Sequence, residues 1–201
     1  MPRATRTLRA GQTKQDLRSL AIERRRAIPP EELEALSSRV AARLFATKEF
    51  ARARLVVSYC AKREEVQTRE IIERLLKEGR RVAVVVTDPT TRTLGFSEIA
   101  SFEEDLAPGP FGILEPKPDR LRPVSLEDAQ VVLVPLVAWD TGGQRIGYGA
   151  GYFDRALAGA SKVNKIGLAL EAQRLPRIPK SSHDVPLDMI VTERRTVRPR
   201  R

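Results

Sequence analysis

The stretch VVLVPLVAWDTGGQRIGYGAGYFDRAL, residues 131–157, decides the predicted fold and gives the first indication of a ligand site. Its first four residues are aliphatic and mostly β-branched, which is typical of a strand buried on both faces. Residues 152–157 have helical spacing, and Asp154 lies in the first turn, where a helix N-terminus favours negative charge. The stretch therefore predicts a buried strand, a connecting loop and the start of a helix.

The connecting loop, residues 142–151, holds five glycines around a single arginine, Arg145. Glycine permits positive φ and lets backbone N–H groups approach a ligand, and Arg145 can bind phosphate oxygens in a bidentate manner. Asp140 and Asp154 flank the loop and suit Mg²⁺, which binds carboxylate and phosphate oxygens together. These features favour a phosphate cradle. A glycine-rich connection without a ligand is the alternative, because the spacing matches neither the Walker nor the dinucleotide fingerprint.

Apolar runs and helical periodicity predict the other elements of the chain. Helices are predicted at 13–27, 31–46 and 68–79, strands at 55–60, 81–86, 165–170 and 189–192, and an edge strand at 94–99. The strand, helix and strand between residues 55 and 86 predict a βαβ unit and hence a parallel sheet. The loop 61–67 then lies at the carboxyl end of a strand, where open α/β sheets bind ligands.

The length of 201 residues suits one domain, which we place at 14–193. No apolar run approaches the roughly 18 residues that a membrane span needs. Cys60 is the only cysteine, so no internal disulfide can form and a reducing, cytoplasmic location is expected. One cysteine and one histidine are also too few for a zinc cluster.

The net charge of +10, from 36 basic and 26 acidic residues, indicates affinity for polyanions but does not choose among them. Much of the excess lies at the two ends, in 1–13 and 194–201. We interpret the first as a disordered basic arm rather than an organellar transit peptide, and the second as a solvated tail. Nucleic-acid binding is not favoured, because no basic stretch is interleaved with aromatic residues.

The motif GQRIGYGAGYFDRAL, preceded by VPLVAWD, resembles the signature of the 5-formyltetrahydrofolate cyclo-ligases, also called 5,10-methenyltetrahydrofolate synthetases. Trp139, Ile146 and Phe153 depart conservatively from the Phe, Leu and Tyr of the family pattern. The resemblance covers about 14–192. It implies an α/β fold, a three-layer α/β/α Rossmann-like arrangement with a mainly parallel central sheet, of the NagB/RpiA/CoA transferase-like type.

The resemblance also implies an activity. ATP and Mg²⁺ would convert 5-formyltetrahydrofolate to 5,10-methenyltetrahydrofolate, with release of ADP and phosphate and with phosphorylation of the formyl oxygen as the driving step. We expect a monomer whose partners are these two small molecules. Two alternatives remain open at this point. One is another ATP-dependent ligase or kinase on the same scaffold, and the other is a non-catalytic protein that binds folate or nucleic acid.

For ATP, the resemblance implies that Lys14 and Arg18, spaced i and i+4, match a Lys-x-x-x-Arg pair that contacts the nucleotide; a solvated helix face is the alternative. Lys14, Arg18 and Arg145 would be catalytic. The remaining nucleotide contacts would come from Ile146, Gly147, Tyr148, Gly149, Ala150, Gly151, Tyr152 and Phe153.

For the folate, Glu65 matches a family glutamate that contacts the reduced pterin, although it could instead be a solvated residue at a helix start. The other implied substrate contacts are Cys60, Phe111, Tyr148, Gly149, Ala150, Gly151 and Tyr152. We interpret Cys60 as a small buried hydrophobe and not a nucleophile. The segment PFGILEP, residues 110–116, resembles a family segment that helps to close the substrate cleft.

For the metal, the resemblance implies Asp154 and Asp184 as the Mg²⁺ ligands, ahead of Asp140. The only histidine, His183, precedes Asp184 directly. We interpret it as a loop or capping residue, because phosphoryl transfer does not require a histidine base.

Overall fold

The computed structural model describes residues 13–200 and contains a central seven-stranded sheet. The strands of the protein are β1 Leu55–Ser58, β2 Arg81–Asp88, β3 Thr93–Ile99, β4 Leu106–Pro108, β5 Leu114–Pro116, β6 Val131–Val134, β7 Ala138–Trp139, β8 Arg145–Ile146, β9 Asn164–Leu168, β10 Met189–Val191 and β11 Thr196–Val197. The large sheet has the order β11-β10-β9-β6-β1-β2-β3, and β4-β5 and β7-β8 form two small hairpins.

The large sheet is parallel in its interior and antiparallel at both edges. Strand β1 pairs in parallel with β2 and β6, β6 with β9, and β9 with β10. The edge strands β3 and β11 run antiparallel to their neighbours. The prediction of a mainly parallel central sheet is therefore confirmed, as is the predicted edge strand that became β3.

The helices are α1 Lys14–Arg26, α2 Pro30–Phe45, α3 Lys48–Ala51, α4 Arg69–Lys77, α5 Phe102–Asp105 and α6 Tyr152–Leu157. Alternate residues of the central strands belong to different buried clusters, because successive side chains of a strand point to opposite faces. Val56 and Leu133 pack in the cluster that includes residues of α2 and α4, whereas Val57 and Val132 pack in a second cluster. Both faces of the sheet are thus covered, as the predicted three layers require.

The ends of the described chain are more ordered than the predicted arm and tail. Thr13, which we assigned to a disordered arm, caps α1 through a reciprocal capping box with Asp16. Residues 1–12, the rest of that arm, lie outside the described residues. The predicted solvated tail includes β11, and Arg198 forms an ion pair with Glu49 at 3.0 Å. Backbone pairing and ion pairs therefore attach this segment to the domain. No helix within 13–200 is both long and apolar enough to cross a membrane.

Candidate active site

A cavity of about 930 Å³ lies at the carboxyl edge of the parallel sheet. Tyr59 and Cys60, which directly follow β1, line it, and so does Pro135, which directly follows β6. This is the edge where open α/β sheets bind ligands. The volume is at the upper end of the range of small-molecule sites, about 300–1,000 Å³.

The residues that the resemblance assigned to nucleotide, folate and metal binding all line this one cavity. These residues are Lys14, Arg18, Cys60, Glu65, Phe111, Arg145, Ile146, Gly147, Tyr148, Gly149, Ala150, Gly151, Tyr152, Phe153, Asp154 and Asp184. Their individual roles remain predictions. The fold brings these residues together from α1, from the loops after β1, β4 and β8 and from the segment before β10.

The β7-β8 hairpin, which no sequence pattern predicted, positions Arg145. Asp140 accepts hydrogen bonds from the backbone N–H groups of Gly142 and Gln144 through one oxygen, and from that of Ile178 through the other. The Asp140 side chain is buried, and both of its oxygens are engaged by these backbone contacts. Asp140 does not line the cavity, and its role is structural, because it fixes the turn that leads into Arg145.

Arg145 lines the cavity and pairs with Asp154. One of its terminal nitrogens donates to Asp154 at 2.8 Å, and its side chain is only 4% exposed. Burial lowers the pKa of Arg145, and the negative charges of Asp154 and Asp184 oppose that shift. Its Nε donates no hydrogen bond to the residues described, so the buried guanidinium keeps donor capacity for an anion.

Helix α1 presents three cations to the glycine loop and its surroundings. Lys14 forms an ion pair with Asp184 and also donates to the Ser181 hydroxyl at 3.0 Å. Arg18 donates through Nε to the carbonyl oxygen of Gly147 at 2.8 Å. About two helical turns further on, Arg25 donates to the Tyr148 hydroxyl at 2.8 Å. Lys14 and Arg18 therefore line the cavity, and Arg25 lies against Tyr148 of the glycine loop.

The glycine loop keeps its backbone donors available. Among residues 13–200, no backbone N–H of 147–151 donates a hydrogen bond to the protein. Gly149 has φ +108°, a conformation that residues with a Cβ rarely adopt, and a Cβ there would lie 3.4 Å from the guanidinium carbon of Arg18. The loop thus combines free backbone donors with a close approach to a cation, which is an arrangement suited to phosphate oxygens.

Glu65 and Cys60 add an acidic and an apolar group to the lining of the cavity. Glu65 is 6% exposed and accepts the backbone N–H of Lys62 at 2.8 Å. Burial raises the pKa of Glu65, and the Lys62 N–H, Tyr148 and Arg25 partly offset this shift. Burial also raises the pKa of the Cys60 thiol to about 12, so the thiol is protonated at neutral pH and is not a nucleophile.

Two aromatic residues that line the cavity, Phe111 and Tyr152, contact each other. Phe111 is 61% exposed although it is apolar, and its φ is +59°, in the left-handed region. Its ring centroid lies 6.3 Å from that of Tyr152 in an edge-to-face arrangement. Strained backbone and exposed aromatic area at one residue are features of ligand-contacting positions.

Asp154 and Asp184 are the carboxylates that could hold a divalent cation. Burial opposes ionisation of Asp184, but hydrogen bonds from Lys14 and the Ser181 N–H more than offset it, so its pKa is lowered. No group of three or more Asp, Glu, His or Cys side chains within 13–200 forms a metal cage. Mg²⁺ is commonly held by one or two carboxylates together with substrate phosphates. The residues present fit that kind of metal site.

A model of the 5-formyltetrahydrofolate cyclo-ligase family matches residues 10–193. The 5-formyltetrahydrofolate cyclo-ligase of Escherichia coli (strain K12) is 31% identical over 173 residues, which are 85% of this chain and 94% of that protein. The chain belongs to the 5-formyltetrahydrofolate cyclo-ligase family. The cyclo-ligase of Mycolicibacterium smegmatis is 29% identical over 188 residues, or 92% of this chain and 96% of that protein.

Two solved structures of 5,10-methenyltetrahydrofolate synthetases share the fold of this chain. The NMR structure of Aquifex aeolicus 5,10-methenyltetrahydrofolate synthetase superimposes with a TM-score of 0.82 and 32% identity, covering 94% of this chain and 93% of that chain. A 5,10-methenyltetrahydrofolate synthetase from Mycoplasma pneumoniae shares the fold, with a TM-score of 0.73 at 21% identity over 90% of this chain and 99% of that chain. The family and the fold expected from the sequence are thus confirmed.

Within this cyclo-ligase fold, Lys62 lies in the site although no sequence pattern indicated it. Its Nζ lies 4.9 Å from the ring centroid of Tyr148 and 5.9 Å from that of Phe111. The loop 61–67 was predicted to face a ligand, but nothing local distinguishes Lys62 from its basic neighbour Arg63, which does not line the cavity. His183 lines the rim and contacts the Ser182 hydroxyl at 3.2 Å, in keeping with a loop role.

Proposed function

We propose that the protein converts 5-formyltetrahydrofolate to 5,10-methenyltetrahydrofolate in a reaction driven by MgATP. One observation carries this proposal: a single cavity joins a cationic, glycine-lined end to a buried acidic wall. The cationic end contains Lys14, Arg18 and Arg145, and the acidic wall contains Glu65. A triphosphate needs the first environment and the N–H donors of a reduced pterin need the second. Both co-substrates can therefore meet in one place.

The proposed chemistry has two steps. The formyl oxygen attacks the γ-phosphorus, the bond from that phosphorus to the β,γ-bridging oxygen breaks, and ADP leaves. The folate N10 then attacks the activated formyl carbon and loses its proton. The bond between that carbon and the former formyl oxygen breaks, so phosphate departs with this oxygen and the methenyl bridge remains between N5 and N10.

The protein contributes positioning and charge stabilisation and no covalent intermediate. We propose that Lys14, Arg18 and Arg145, with the backbone donors of 147–151, bind the triphosphate. Ile146 is 2% exposed and packs in one buried cluster with Leu17 of α1, so it anchors the glycine loop to that helix. We propose that the aromatic side chains at 148, 152 and 153, which line the cavity, contact both co-substrates.

Mg²⁺ would neutralise phosphate oxygens during transfer, and Asp154 and Asp184 would hold it. In the structure each of these carboxylates pairs with a basic residue, Arg145 and Lys14 respectively. Each ion pair brings a cation and a carboxylate to the same end of the cavity. A phosphate group can therefore contact the cation while its metal contacts the carboxylate.

We also propose that the protein acts as a monomer in the cytoplasm. A cavity within a single chain contains every residue proposed to bind ATP, folate and Mg²⁺. The one cysteine, Cys60, is a free thiol, which suits a reducing compartment. Sedimentation at assay concentrations tests the first part: a monomer that turns over supports it, and activity confined to a dimer contradicts it.

The decisive experiment mixes the protein with MgATP and 5-formyltetrahydrofolate. We expect near-ultraviolet absorbance of the methenyl product to rise together with ADP, one for one. Release of ADP without that product would favour another ATP-dependent ligase or kinase. Absence of turnover, together with salt-dependent binding to arbitrary RNA, would favour a nucleic-acid-binding protein.

A further inference from the structure

Glu115 is a buried carboxylate of the cavity that the reaction described above does not use. It lies in β5, lines the cavity and is 6% exposed. Its Oε2 accepts the backbone N–H of Thr87, in β2, at 2.9 Å. Its Oε1 is buried and accepts no hydrogen bond from residues 13–200. One oxygen therefore anchors the side chain and the other is left without a donor.

The surroundings of Glu115 hold it in this position without neutralising it. No lysine or arginine of the described chain forms an ion pair with it. A Cβ at Gly109 would lie 3.0 Å from both Cβ and Cγ of Glu115, so glycine at 109 leaves the space that this side chain occupies. Leaving a buried carboxylate oxygen unpaired costs free energy. A donor supplied by a ligand would remove that cost.

The chemistry of the cavity restricts which ligand can supply the donor. A triphosphate is repelled by a carboxylate with which no lysine or arginine of residues 13–200 pairs. A metal would need further ligands, and the two carboxylates assigned to Mg²⁺, Asp154 and Asp184, instead pair with Arg145 and Lys14. A heterocycle with several N–H donors remains.

We propose that Glu115 is a specificity-determining residue that accepts a ring N–H of the reduced pterin through Oε1, and that this donor is N8–H. The proposal rests on the proposed folate substrate. The pterin presents two donors side by side, N3–H and the 2-amino group, which suit the two oxygens of Glu65. The remaining ring donor, N8–H, exists only in the reduced ring. In the oxidised ring N8 carries a lone pair, which a carboxylate oxygen repels.

Glu115 would therefore discriminate reduced from oxidised folate. A site built to accept a ligand N–H rejects an analogue that lacks it, because the buried acceptor is then left unpaired. Glu115→Gln keeps the size of the side chain and removes its charge, and Gln cannot accept from both Thr87 and the ligand without reorienting its amide. Glu115→Ala removes both contacts.

The test measures KM for 5-formyltetrahydrofolate, KM for ATP and the inhibition constant of folic acid. We expect Glu115→Ala to raise the folate KM about tenfold or more, the loss expected for a hydrogen bond to a charged group, with ATP KM within about twofold. The preference for reduced over oxidised folate, measured as the inhibition constant of folic acid divided by the KM for 5-formyltetrahydrofolate, should fall by a similar factor. An unchanged folate KM, an unchanged preference, or a rise confined to the ATP KM would overturn the proposal.

Two controls separate this role from a structural one. Glu115→Gln should raise the folate KM without lowering the melting temperature, because it removes an unpaired buried charge. Asp105→Asn, at a buried carboxylate outside the cavity that accepts the backbone N–H groups of Ala100 and Ser101, should lower the melting temperature and leave the folate KM unchanged. A fall in melting temperature for Glu115→Gln with no KM change would contradict the proposal.

A substrate analogue completes the test. We expect 8-deaza-5-formyltetrahydrofolate, which has carbon in place of N8, to show a raised KM with the unmodified protein and no further increase with Glu115→Gln. If the increases in KM caused by the analogue and by Glu115→Gln add together, the assignment to N8–H is wrong. Because turnover of the natural substrate by the unmodified protein is measured first, failure of this inference is distinguishable from failure of the proposed function.

Discussion

Arg18 donates its Nε hydrogen to the carbonyl oxygen of Gly147 at 2.8 Å, so the first helix of the domain contacts the distant glycine loop. The contact joins two segments that are 129 residues apart. It leaves the terminal nitrogens of Arg18 beside Gly149, where a Cβ would meet them. The nucleotide end of the cavity therefore depends on α1 as much as on the loop itself.

We expect Gly149→Ala to raise the ATP KM about tenfold or more, because a Cβ strains a backbone with φ +108° in the loop whose free N–H groups are proposed to bind the triphosphate. Gly79→Ala is the matched control, since Gly79 also has positive φ, lies outside the cavity and has no atom within 4 Å of the position its new Cβ would take. Both substitutions should destabilise the fold by about 1–3 kcal/mol. Equal ATP KM values in the two variants would contradict this account of the loop.

Asp184→Asn should raise the Mg²⁺ concentration needed for half-maximal activity by about tenfold or more, because it removes a charged ligand from a site with few carboxylates. The measurement is initial rate against free Mg²⁺ at saturating folate. Asp119→Asn, at a side chain that is 78% exposed and outside the cavity, is the control and should leave the Mg²⁺ dependence unchanged. The same Mg²⁺ requirement in both variants would exclude Asp184 as a ligand.

Glu65 should impose an acid limb on kcat/KM for the folate. Burial raises its pKa above 4.5, so the carboxylate that accepts pterin N–H groups is lost as pH falls through this raised value. Glu65→Gln should remove that limb and lower kcat/KM at neutral pH. An unaltered acid limb in this variant would assign the ionisation to another group.

The raised pKa of Glu65 also has a consequence for stability. A carboxyl whose pKa is raised on folding binds its proton more tightly in the folded state, so its contribution to stability is present below pH 4.5 and is lost as pH rises through the raised value. Glu65→Gln should therefore raise the melting temperature at neutral pH while it impairs the folate kcat/KM. Thermal unfolding across this pH range measures the effect, and a lower melting temperature at neutral pH would contradict it.

Phe111→Ala should raise the folate KM with little loss of stability, because the ring is 61% exposed and makes an edge-to-face aromatic contact in the cavity lining. Leu121→Ala is the matched control, since Leu121 is 44% exposed and does not line the cavity. Steady-state kinetics on both variants make the comparison. If the two substitutions change the folate KM equally, Phe111 has no part in binding.

Local patterns predicted the elements that position the site. The aliphatic run at Val131–Val134 is fully buried, and its residues alternate between the two faces of the sheet as expected. The i, i+4 spacing of Lys14 and Arg18 placed both on one side of α1, and both line the cavity. These features could be predicted because each depends on the period of a single helix or strand.

Features that depend on distant contacts could not be predicted. The β7-β8 hairpin has two-residue strands, too short for a periodic signal, and its turn depends on three backbone contacts to Asp140, one of them from Ile178. The anchoring of Glu115 by Thr87 requires β2 to extend to Asp88 and to lie beside β5. The predicted strand ended two residues earlier, because no local pattern shows the pairing of Asp88 with Thr93.

The formyl oxygen of the folate and the γ-phosphate of ATP are proposed to meet in one cavity, and every assigned role depends on that meeting. The most direct measurement uses 5-formyltetrahydrofolate with ¹⁸O in the formyl group and determines by mass spectrometry where the label goes. We predict that each phosphate released carries one ¹⁸O atom, because the formyl oxygen becomes the fourth oxygen of the phosphate. Unlabelled phosphate formed together with the methenyl product would contradict the account.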